Sequence, residues 1–240
     1  MPFLSLSTYN FRNLKNDKID LLSKEVYFVG ENGQGKSNLL EALYYSAYGS
    51  SFRTHTDSQI IKNGESNFSI NSLYSNEKEN IQHIKLIYDK GKKLIEKNGK
   101  RIHDRKELVN TIPCVLFCHE DLDFVIGEPE RKRFFLDQSL AMYDVVYIDI
   151  LRKYKKILKN RNILLKEKKY ETLDVFDFQL AETGKEIISK RKNAVYQFNR
   201  IFGNLFEKIT GIDGVSIAYS PAWKTKDINE IIEILKQKRD

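Results

Sequence analysis

The residues best suited to chemistry form a glycine-rich stretch of eight residues in the first fifth of the chain. The stretch fits the pattern G-x-x-x-x-G-K-S, and it runs Gly30, Glu31, Asn32, Gly33, Gln34, Gly35, Lys36, Ser37. Glycines let successive backbone N–H groups turn inward around an anion. In this pattern the lysine binds the β- and γ-phosphates of a nucleoside triphosphate, and the serine hydroxyl can bind its Mg²⁺. We therefore expect residues 30–37 to bind ATP or GTP, with Ser37 as a metal ligand.

The segments on either side of this loop predict the structure that such a site needs. Residues 26–29 are β-branched or aromatic, which is typical of a buried strand. After the loop, apolar side chains recur at helical spacing, namely Leu39, Leu40, Leu43 and Tyr44. The positive end of the predicted helix would add to the field that attracts phosphate. The order strand, loop, helix favours a phosphate site over a chance glycine-rich turn.

The composition bounds the class of protein. The chain has 240 residues, of which 41% are hydrophobic, so it can bury a core as one large domain or two small ones. No apolar run approaches the roughly 18 residues of a membrane span. The N-terminus lacks the basic start and the apolar stretch of a signal peptide, so we expect a cytoplasmic protein without a membrane partner. Cys114 and Cys118 are predicted to be small core residues, and the four histidines show no metal-ligand spacing.

The positive charge is concentrated in one segment. Residues 150–210 contain 15 Lys and Arg against 7 Asp and Glu, an excess of 8, whereas the net charge of the whole chain is +7. The rest of the chain therefore carries about −1. A basic segment of this kind is compatible with a polyanion partner such as DNA. The alternative is a lysine-rich helical surface that only contacts solvent.

The first half of the chain is predicted to be mainly strands. Residues 3–11 and 19–22 give two short strands before the loop, and residues 67–102 read as an antiparallel meander interrupted by turn signals. Residues 114–118 are predicted to form a buried strand. It ends in acids, Glu120 and Asp121, which either face a metal or cap the next turn.

Two arginines lie where they could approach the nucleotide. Arg12 follows the first strand, and Arg53 belongs to a polar stretch, residues 49–54, that is able to fold back over the site. By position alone, an ordinary surface arginine is the favoured interpretation of each.

The second half is predicted to be helical. Apolar stripes between residues 130 and 208 indicate two long antiparallel helices with a polar turn at residues 166–172, a hairpin that carries the basic excess. Residues 215–219 are predicted to form another strand, and residues 228–238 begin a helix.

An ATPase of this type also needs an apolar strand that ends in an acid for Mg²⁺, usually followed by a glutamate that orients water. Three stretches have part of that form, ending at Asp121, Asp137 and Asp149. The last two continue as predicted helices, and the first has His119 and Glu120 in between. We interpret all three as unrelated to the metal site. ATP binding is predicted, complete hydrolysis is not, and no catalytic residue is assigned.

Several stretches, in order along the chain, resemble the RecF family of bacterial DNA replication and repair proteins, relatives of the SMC-type ABC ATPases. Residues 30–42 are similar to the family signature G-x-N-G-x-G-K-T-N-L-L-E-A, with Ser37 in place of Thr. His119 stands where the family has Pro. The other matching stretches are residues 10–14, 51–54, 98–100, 117–122, 127–137 and 154–162.

This resemblance implies an α/β fold, the P-loop ABC-ATPase head. Lobe I, with a mixed sheet and the P-loop helix, would cover residues 1–125. A helical lobe II would cover residues 126–211, and residues 212–240 would start the return to the ATPase core. The resemblance also implies ATP and Mg²⁺ as cofactors, with Arg12 close to the nucleotide and Glu120 and Asp121 near the equivalent of the Q-loop.

The functions that the resemblance implies are those of the family. ATP would drive homodimerisation on single-stranded or gapped duplex DNA. The protein would support recombinase loading with RecO- and RecR-type mediator proteins, recombinational repair and the SOS response. Family members continue into a signature motif and an acidic metal site, so a chain that ends at Asp240 is expected to bind ATP without competent turnover.

Two other classes remain open. One is a DNA- or partner-binding module that performs no nucleotide chemistry. The other is a small-molecule P-loop kinase, which would need a lid rich in arginines and an acceptor pocket.

Overall fold

The computed structural model describes residues 3–75, 80–108, 111–112, 114–118 and 129–239. The chain divides into two compact units, residues 1–118 and 119–240. The described part of the first unit contains one α-helix and six strands. They are β1 (Phe3–Tyr9), β2 (Asp17–Asp20), α1 (Lys36–Tyr48), β3 (Asn67–Ser75), β4 (Ile81–Asp89), β5 (Lys92–Lys97) and β6 (Lys100–Ile102).

The six strands form one sheet in the order β2-β1-β3-β4-β5-β6, and each pairing is antiparallel. The turns of the meander use left-handed backbone, with φ of 48° and 76° at Lys90 and Gly91 and 52° and 77° at Asn98 and Gly99. Such two-residue turns match the twist of the strands that they join. The predicted antiparallel meander is therefore confirmed. The mixed sheet expected for lobe I is not seen among the described residues, because all of their strand pairings are antiparallel.

Helix α1 packs on the sheet and builds the core of the first unit. Side chains alternate between buried and half-buried along β3, so that one face of the strand points to the core. Phe68 of β3 meets Phe11 and Tyr45 edge to face, with ring centroids 5.6 Å away in both cases. The predicted helix after the glycine loop is confirmed, and Gly49 ends it with a left-handed φ of 63°.

Three strand predictions in this unit are wrong in part or entirely. Residues 26–29 are not in a strand, and Tyr27 and Val29 are exposed by 80% and 93%. Residues 114–118 also form no strand, and Val115 and Phe117 are exposed. Neither run pairs with a strand among the described residues, where the sheet ends at β2 on one side and at β6 on the other. The strand expected at residues 19–22 is β2, which begins two residues earlier.

The second unit is helical in its described part. Its helices are α2 (Pro129–Tyr143), α3 (Val145–Lys166), α4 (Leu173–Thr210) and α5 (Ile228–Gln237). The prediction of two long helices is wrong, because the first of them is broken at Asp144. The Asp144 carboxylate accepts a hydrogen bond from the Tyr147 backbone N–H at 3.1 Å and so caps a new helix.

The pairing of α3 with α4 is antiparallel, as predicted for the helical hairpin. Tyr147 near the start of α3 packs with Ile187 of α4, whereas Arg161 near the end of α3 pairs with Asp177 near the start of α4. The buried Ile231 and Leu235 of α5 join the core made by α3 and α4, which confirms the predicted C-terminal helix and its apolar side.

The strand expected at residues 215–219 is absent. The Asn199 side chain of α4 instead holds the backbone of Ile217, as it donates to the carbonyl and accepts from the N–H, both at 2.8 Å. An amide side chain thus replaces the neighbouring strand, and this segment lies along a helix.

The predicted lobe boundaries at residues 125 and 211 remain a prediction. Residue 125 lies outside the described residues, and the division of the chain into two compact units falls between residues 118 and 119. None of the described helices combines the length and the continuous apolar character that crossing a bilayer would require.

Candidate functional site

The glycine-rich loop is shaped by left-handed backbone at Gly33 and Gly35, where φ is 84° and 99°. Residues that carry a Cβ atom rarely adopt these backbone angles. Gly35 is also crowded, since a Cβ atom there would lie 2.8 Å from Asn13 Oδ1 and 2.9 Å from Leu14 Cδ2. Gly35 therefore allows the close approach of residues 13 and 14 as well as the turn itself.

Asn13 connects the two ends of the loop. Its Nδ2 donates to the Gly33 carbonyl at 2.7 Å, and its Oδ1 accepts from Asn38 Nδ2 of α1 at 2.7 Å. Asn13 is held in turn by neighbours in unusual backbone conformations, with φ of 50° at Asn10 and 51° at Arg12. Non-glycine residues in this region are strained and are enriched at functional sites.

The N-terminus of α1 opens towards the loop. Gly35 is its N-cap residue, no side chain caps the helix there, and the first turn contains no acid. The first N–H groups of a helix lack partners within the helix and carry a partial positive charge. Lys36 adds a full charge, and its ammonium donates to the carbonyls of Gly30 and Glu31 at 2.7 Å each. The Ser37 hydroxyl belongs to an exposed residue.

A cavity of about 270 Å³ lies at this helix end. It is lined by Asn32, Gly33 and Gly35 of the loop, by Lys36, Ser37 and Asn38 of α1, and by Arg53. None of these lining residues is acidic, and two are cationic. The cavity is therefore electrostatically suited to an anion.

Both arginines considered in the sequence gather around one carboxylate, that of Glu41. Arg12 binds it through Nε at 3.1 Å and Nη2 at 2.8 Å, and Arg53 Nη1 lies 3.5 Å from its Oε2. Arg53 Nη1 also donates to Asn38 Oδ1 at 2.7 Å. Arg53 reaches the cavity, whereas Arg12 is not among the residues that line it.

The structure thus brings most of the predicted loop residues to one cavity and places Arg53 in its wall. It adds three residues that the sequence did not single out as ligands or supports: Asn13, Asn38 and Glu41. The signal for Glu41 was an acid on the buried face of α1, where it is fully buried. The signal for Arg53 was its place in a polar stretch directly after that helix. Nothing local marks Asn13 or Asn38, because their roles come from contacts 20 and 25 residues apart.

The acids considered for a metal site lie elsewhere or outside the described residues. Asp137 is bound by Arg191 through two hydrogen bonds of 2.8 Å and by the Tyr147 hydroxyl, and Asp149 belongs to α3. Glu120 and Asp121 lie outside the described residues. The described residues contain no group of three or more His, Cys, Asp or Glu that could hold a metal ion.

Burial raises the pKa of the Cys114 thiol, which suits a packing role.

A second notable surface lies on α3 in the other unit. An open cavity of about 430 Å³ is lined by Lys155, Leu158, Lys159, Asn162, Ile163 and Lys166. The three lysines are exposed. Arg161, which lies within the same stretch of α3, is buried and paired with Asp177 at 2.6 Å. Lysines, and not that arginine, therefore supply the positive charge of this face.

Comparison with known proteins gives a consistent result. Residues 5–240 match the family described as AAA domain. The DNA replication and repair protein RecF of Treponema pallidum is 45% identical over 237 residues, which cover 98% of this chain and 66% of that protein. RecF of Clostridium perfringens is 34% identical over 245 residues, with 100% and 68% covered. The chain thus spans about two thirds of the length of the curated relatives it matches.

The solved structures agree with this likeness. A structure described as the recombination mediator protein RecF-ATP in the RecFOR pathway superposes with a TM-score of 0.82 at 29% identity, and it covers 99% of this chain and 66% of that one. A second structure, described with ATPrS, gives a TM-score of 0.81 at 30% identity. The predicted ABC-ATPase head fold is confirmed by these matches.

Proposed function

Because the chain belongs to the RecF family and its AAA domain spans residues 5–240, we propose that it binds ATP together with Mg²⁺ at the glycine-rich loop. The observation that carries this proposal is the cavity at the uncapped end of α1, with Lys36 and Arg53 in its wall. The relatives' structures described with ATP and ATPrS support it.

The residues present fit a polyphosphate group. Phosphate oxygens accept hydrogen bonds, and the site offers backbone N–H donors of the loop and the helix end, an ammonium and a guanidinium. Lys36 now shares its ammonium between the carbonyls of Gly30 and Glu31, and a phosphate would replace these neutral acceptors with a charged one. The exposed Ser37 hydroxyl would hold Mg²⁺, which neutralises phosphate charge when it is bound.

The role of the rest of the site is to keep these donors in place. Asn13 joins the loop to α1, and the left-handed glycines let the backbone turn around an anion. Arg53 is held at the cavity by Asn38. A preorganised set of donors binds an anion at a lower entropic cost than mobile donors would.

The test is a titration of the 240-residue chain with Mg·ATP by calorimetry. Lys36→Ala should weaken binding at least about thirtyfold, the effect of removing one charge-assisted hydrogen bond. Lys24→Ala is the matched control, since Lys24 is an exposed lysine of the same unit away from the cavity, and it should leave the affinity unchanged. Equal affinities for the two variants would contradict a nucleotide site at this loop.

A second function is favoured by the lysine face of α3. We propose that Lys155, Lys159 and Lys166 contact the phosphates of DNA, single-stranded or gapped, without reading its sequence. Lysines at helical spacing supply point charges for a phosphate backbone. This function does not depend on nucleotide chemistry, so it also covers the alternative of a passive DNA-binding module.

DNA binding can be measured as a function of salt with a gapped duplex. Changing all three α3 lysines to Ala should weaken binding and reduce the slope of log K against log salt by about 0.9 for each phosphate that the protein no longer neutralises. A triple change of exposed lysines in the first unit, Lys24, Lys92 and Lys100, is the matched control for net charge. If both triple variants behave alike, the effect is one of net charge and the α3 face has no special part.

The roles at the level of the cell follow from family membership and remain proposals. The protein would act in the cytoplasm in DNA replication and repair. ATP would promote a homodimer on DNA, and RecO- and RecR-type mediators would join it in recombinase loading and in SOS induction. Light scattering with Mg·ATPγS and DNA tests the dimer, since the mass should double only when the nucleotide is present.

A further inference from the structure

Glu41 is a buried acid for which the nucleotide site has no direct use. It lies in α1 with a fully buried side chain, and it is not among the residues that line the cavity. Burying a carboxylate is costly unless it is paired and hydrogen bonded. Glu41 meets this condition through three neighbours from different segments: Arg12, Ser51 and Arg53. The arrangement therefore joins three parts of the chain at one carboxylate.

Arg12 fixes the carboxylate from one side. Its Nε and Nη2 bind the two oxygens of Glu41 at 3.1 and 2.8 Å, a bidentate pairing that sets the plane of both groups. Its third donor, Nη1, binds the Gln59 carbonyl at 2.7 Å, and its backbone N–H binds the Ile60 carbonyl at 2.7 Å. Arg12 is thus tied into the protein at every nitrogen of its guanidinium, and Glu41 has little freedom to rotate.

The same carboxylate holds the segment that carries Arg53. The Ser51 hydroxyl donates to Glu41 Oε1 at 2.5 Å, and the same hydroxyl oxygen accepts the backbone N–H groups of Arg53 and Thr54 at 2.8 and 3.1 Å. Glu41 therefore determines where the backbone of residues 51–54 lies next to α1.

The guanidinium of Arg53 is positioned by two acceptors of α1. Nη1 lies 2.7 Å from Asn38 Oδ1 and 3.5 Å from Glu41 Oε2, and the side chain is 44% exposed. An arginine side chain in solvent has many rotamers, and a ligand that selects one of them loses affinity. Glu41 thus limits Arg53 in two ways, through the backbone at Ser51 and through the guanidinium.

We propose that Glu41 is the positioning residue of the nucleotide site, which sets Arg53 at the cavity without touching the nucleotide. The inference rests on the proposed function, because Arg53 needs a bound phosphate to act on. It makes a specific claim, namely that the effect of Glu41 on nucleotide affinity passes through Arg53.

The claim is tested by a double-mutant cycle on Mg·ATP affinity. Glu41→Gln keeps the shape and removes the charge, and it should weaken binding about tenfold in the wild-type chain, since charge-assisted hydrogen bonds are removed. In the Arg53→Ala background the same change should cost less than about twofold, because the group that Glu41 positions is gone. Ser46→Ala is the control, since Ser46 is buried in the same helix and, within the described part of the chain, its hydroxyl donates only to the Ala42 carbonyl.

A second readout needs no nucleotide. The Nε–H of Arg12 donates to Glu41, so it should give a slowly exchanging signal in ¹⁵N-resolved NMR spectra that disappears in Glu41→Gln and persists in Ser46→Ala. If Glu41→Gln does not fold, Ser51→Ala replaces it, because this change leaves the carboxylate paired with Arg12. Ser51→Ala should weaken binding about threefold, the effect of one hydrogen bond, and again only when Arg53 is present.

The outcomes separate the two proposals. If the wild-type chain does not bind Mg·ATP, the proposed function fails. If it binds and Glu41→Gln, or Ser51→Ala in its place, binds equally well, the function stands and the positioning role is refuted. An effect that is as large in the Arg53→Ala background as in the wild type also refutes it, since Glu41 would then act by another route.

Discussion

Two neighbouring glycines of the loop give a sharp test of how the site is built. Gly35 and Gly33 both have a left-handed backbone, with φ of 99° and 84°. A Cβ atom at Gly35 would lie 2.8 Å from Asn13 Oδ1 and 2.9 Å from Leu14 Cδ2, whereas at Gly33 no heavy atom lies within 4 Å. Gly35→Ala and Gly33→Ala therefore share the backbone effect and differ in the steric clash.

The two substitutions are expected to cost different amounts of stability. A left-handed backbone costs a residue with a Cβ atom about 1–2 kcal/mol, and both variants carry this cost. A Cβ atom at Gly35 would in addition push aside the Asn13 amide, whose two hydrogen bonds to the Gly33 carbonyl and to Asn38 together contribute about 1–3 kcal/mol, and only Gly35→Ala carries this second cost. The loss of conformational freedom in the unfolded chain is the same for both and cancels. Gly35→Ala should thus lower the local stability of the loop and α1 more than Gly33→Ala does, by about 1–3 kcal/mol.

Hydrogen exchange of the α1 amides measures the local free energy of opening for both variants. The α1 amides should exchange faster in Gly35→Ala than in Gly33→Ala by about fivefold to 150-fold, and Mg·ATP affinity should fall in the same order. Equal exchange in the two variants, or a larger effect at Gly33, would refute the reasoning that Asn13 and Leu14 hold the loop by close packing.

Three further predictions concern the second unit, where Trp223, the single tryptophan, reports unfolding by fluorescence. Asp177→Asn should lower the urea-unfolding free energy by about 3 kcal/mol or more, because it leaves a buried arginine without its charged partner. A hydrogen bond from Lys190 lowers the pKa of Asp144, so this pair stabilises the fold above pH ~4 and the stabilisation is lost as the pH falls through the lowered pKa; Asp144→Asn should flatten that acid dependence. Gly184→Ala should displace the Trp223 ring, which a Cβ atom would meet, and shift the emission to longer wavelength.

Each of these has a contrary result. Glu233→Gln removes an exposed pair with Lys236 and should change the stability by less than about 1 kcal/mol, so an equally small change at Asp177 would contradict the buried pairing. If the free energy of unfolding of Asp144→Asn falls with acid as it does in the wild type, the pair of Asp144 with Lys190 does not contribute to stability. A more stable Gly184→Ala protein with unshifted emission would mean that helix propensity outweighs the clash with Trp223.

The sequence predicted those parts of the fold that local patterns determine. Helix α1 follows from apolar spacing after the glycine loop, and the meander follows from turn residues such as Asn98 and Gly99, whose left-handed angles the structure shows. Residues 26–29 show the limit of such patterns. An apolar run predicts burial but does not identify a neighbouring strand, and residues 26–29 pair with none among the described residues.

The break between α2 and α3 shows the same limit at a single residue. Asp144 sits in a pattern that is helical on both sides, and its capping role depends on the backbone N–H of Tyr147 and on Lys190, which lies 46 residues away. The helical spacing of apolar residues continues on both sides of Asp144, so the pattern predicted one long helix.

The candidate site, like the fold, was predictable from the sequence only in part. The residues that would bind phosphate, 30–37, were predictable because the loop chemistry is encoded in consecutive residue types. Of the supporting residues, Arg53 was a candidate by its position after α1, whereas Asn13 and Glu41 were not predictable, because they act through contacts between segments that are 12 to 29 residues apart. Their residue types are common on any surface or helix, and only the fold shows that they meet.

A nucleotide site at the end of α1 can be tested most directly by amide hydrogen exchange on the 240-residue chain with and without Mg·ATP. Mg·ATP bound at the loop should slow exchange in peptides that cover residues 30–38 and 51–53 and leave the α3 lysine face unchanged. Binding of Mg·ATP that leaves both of these peptides unprotected, or that protects only the second unit, would contradict a nucleotide site at the end of α1.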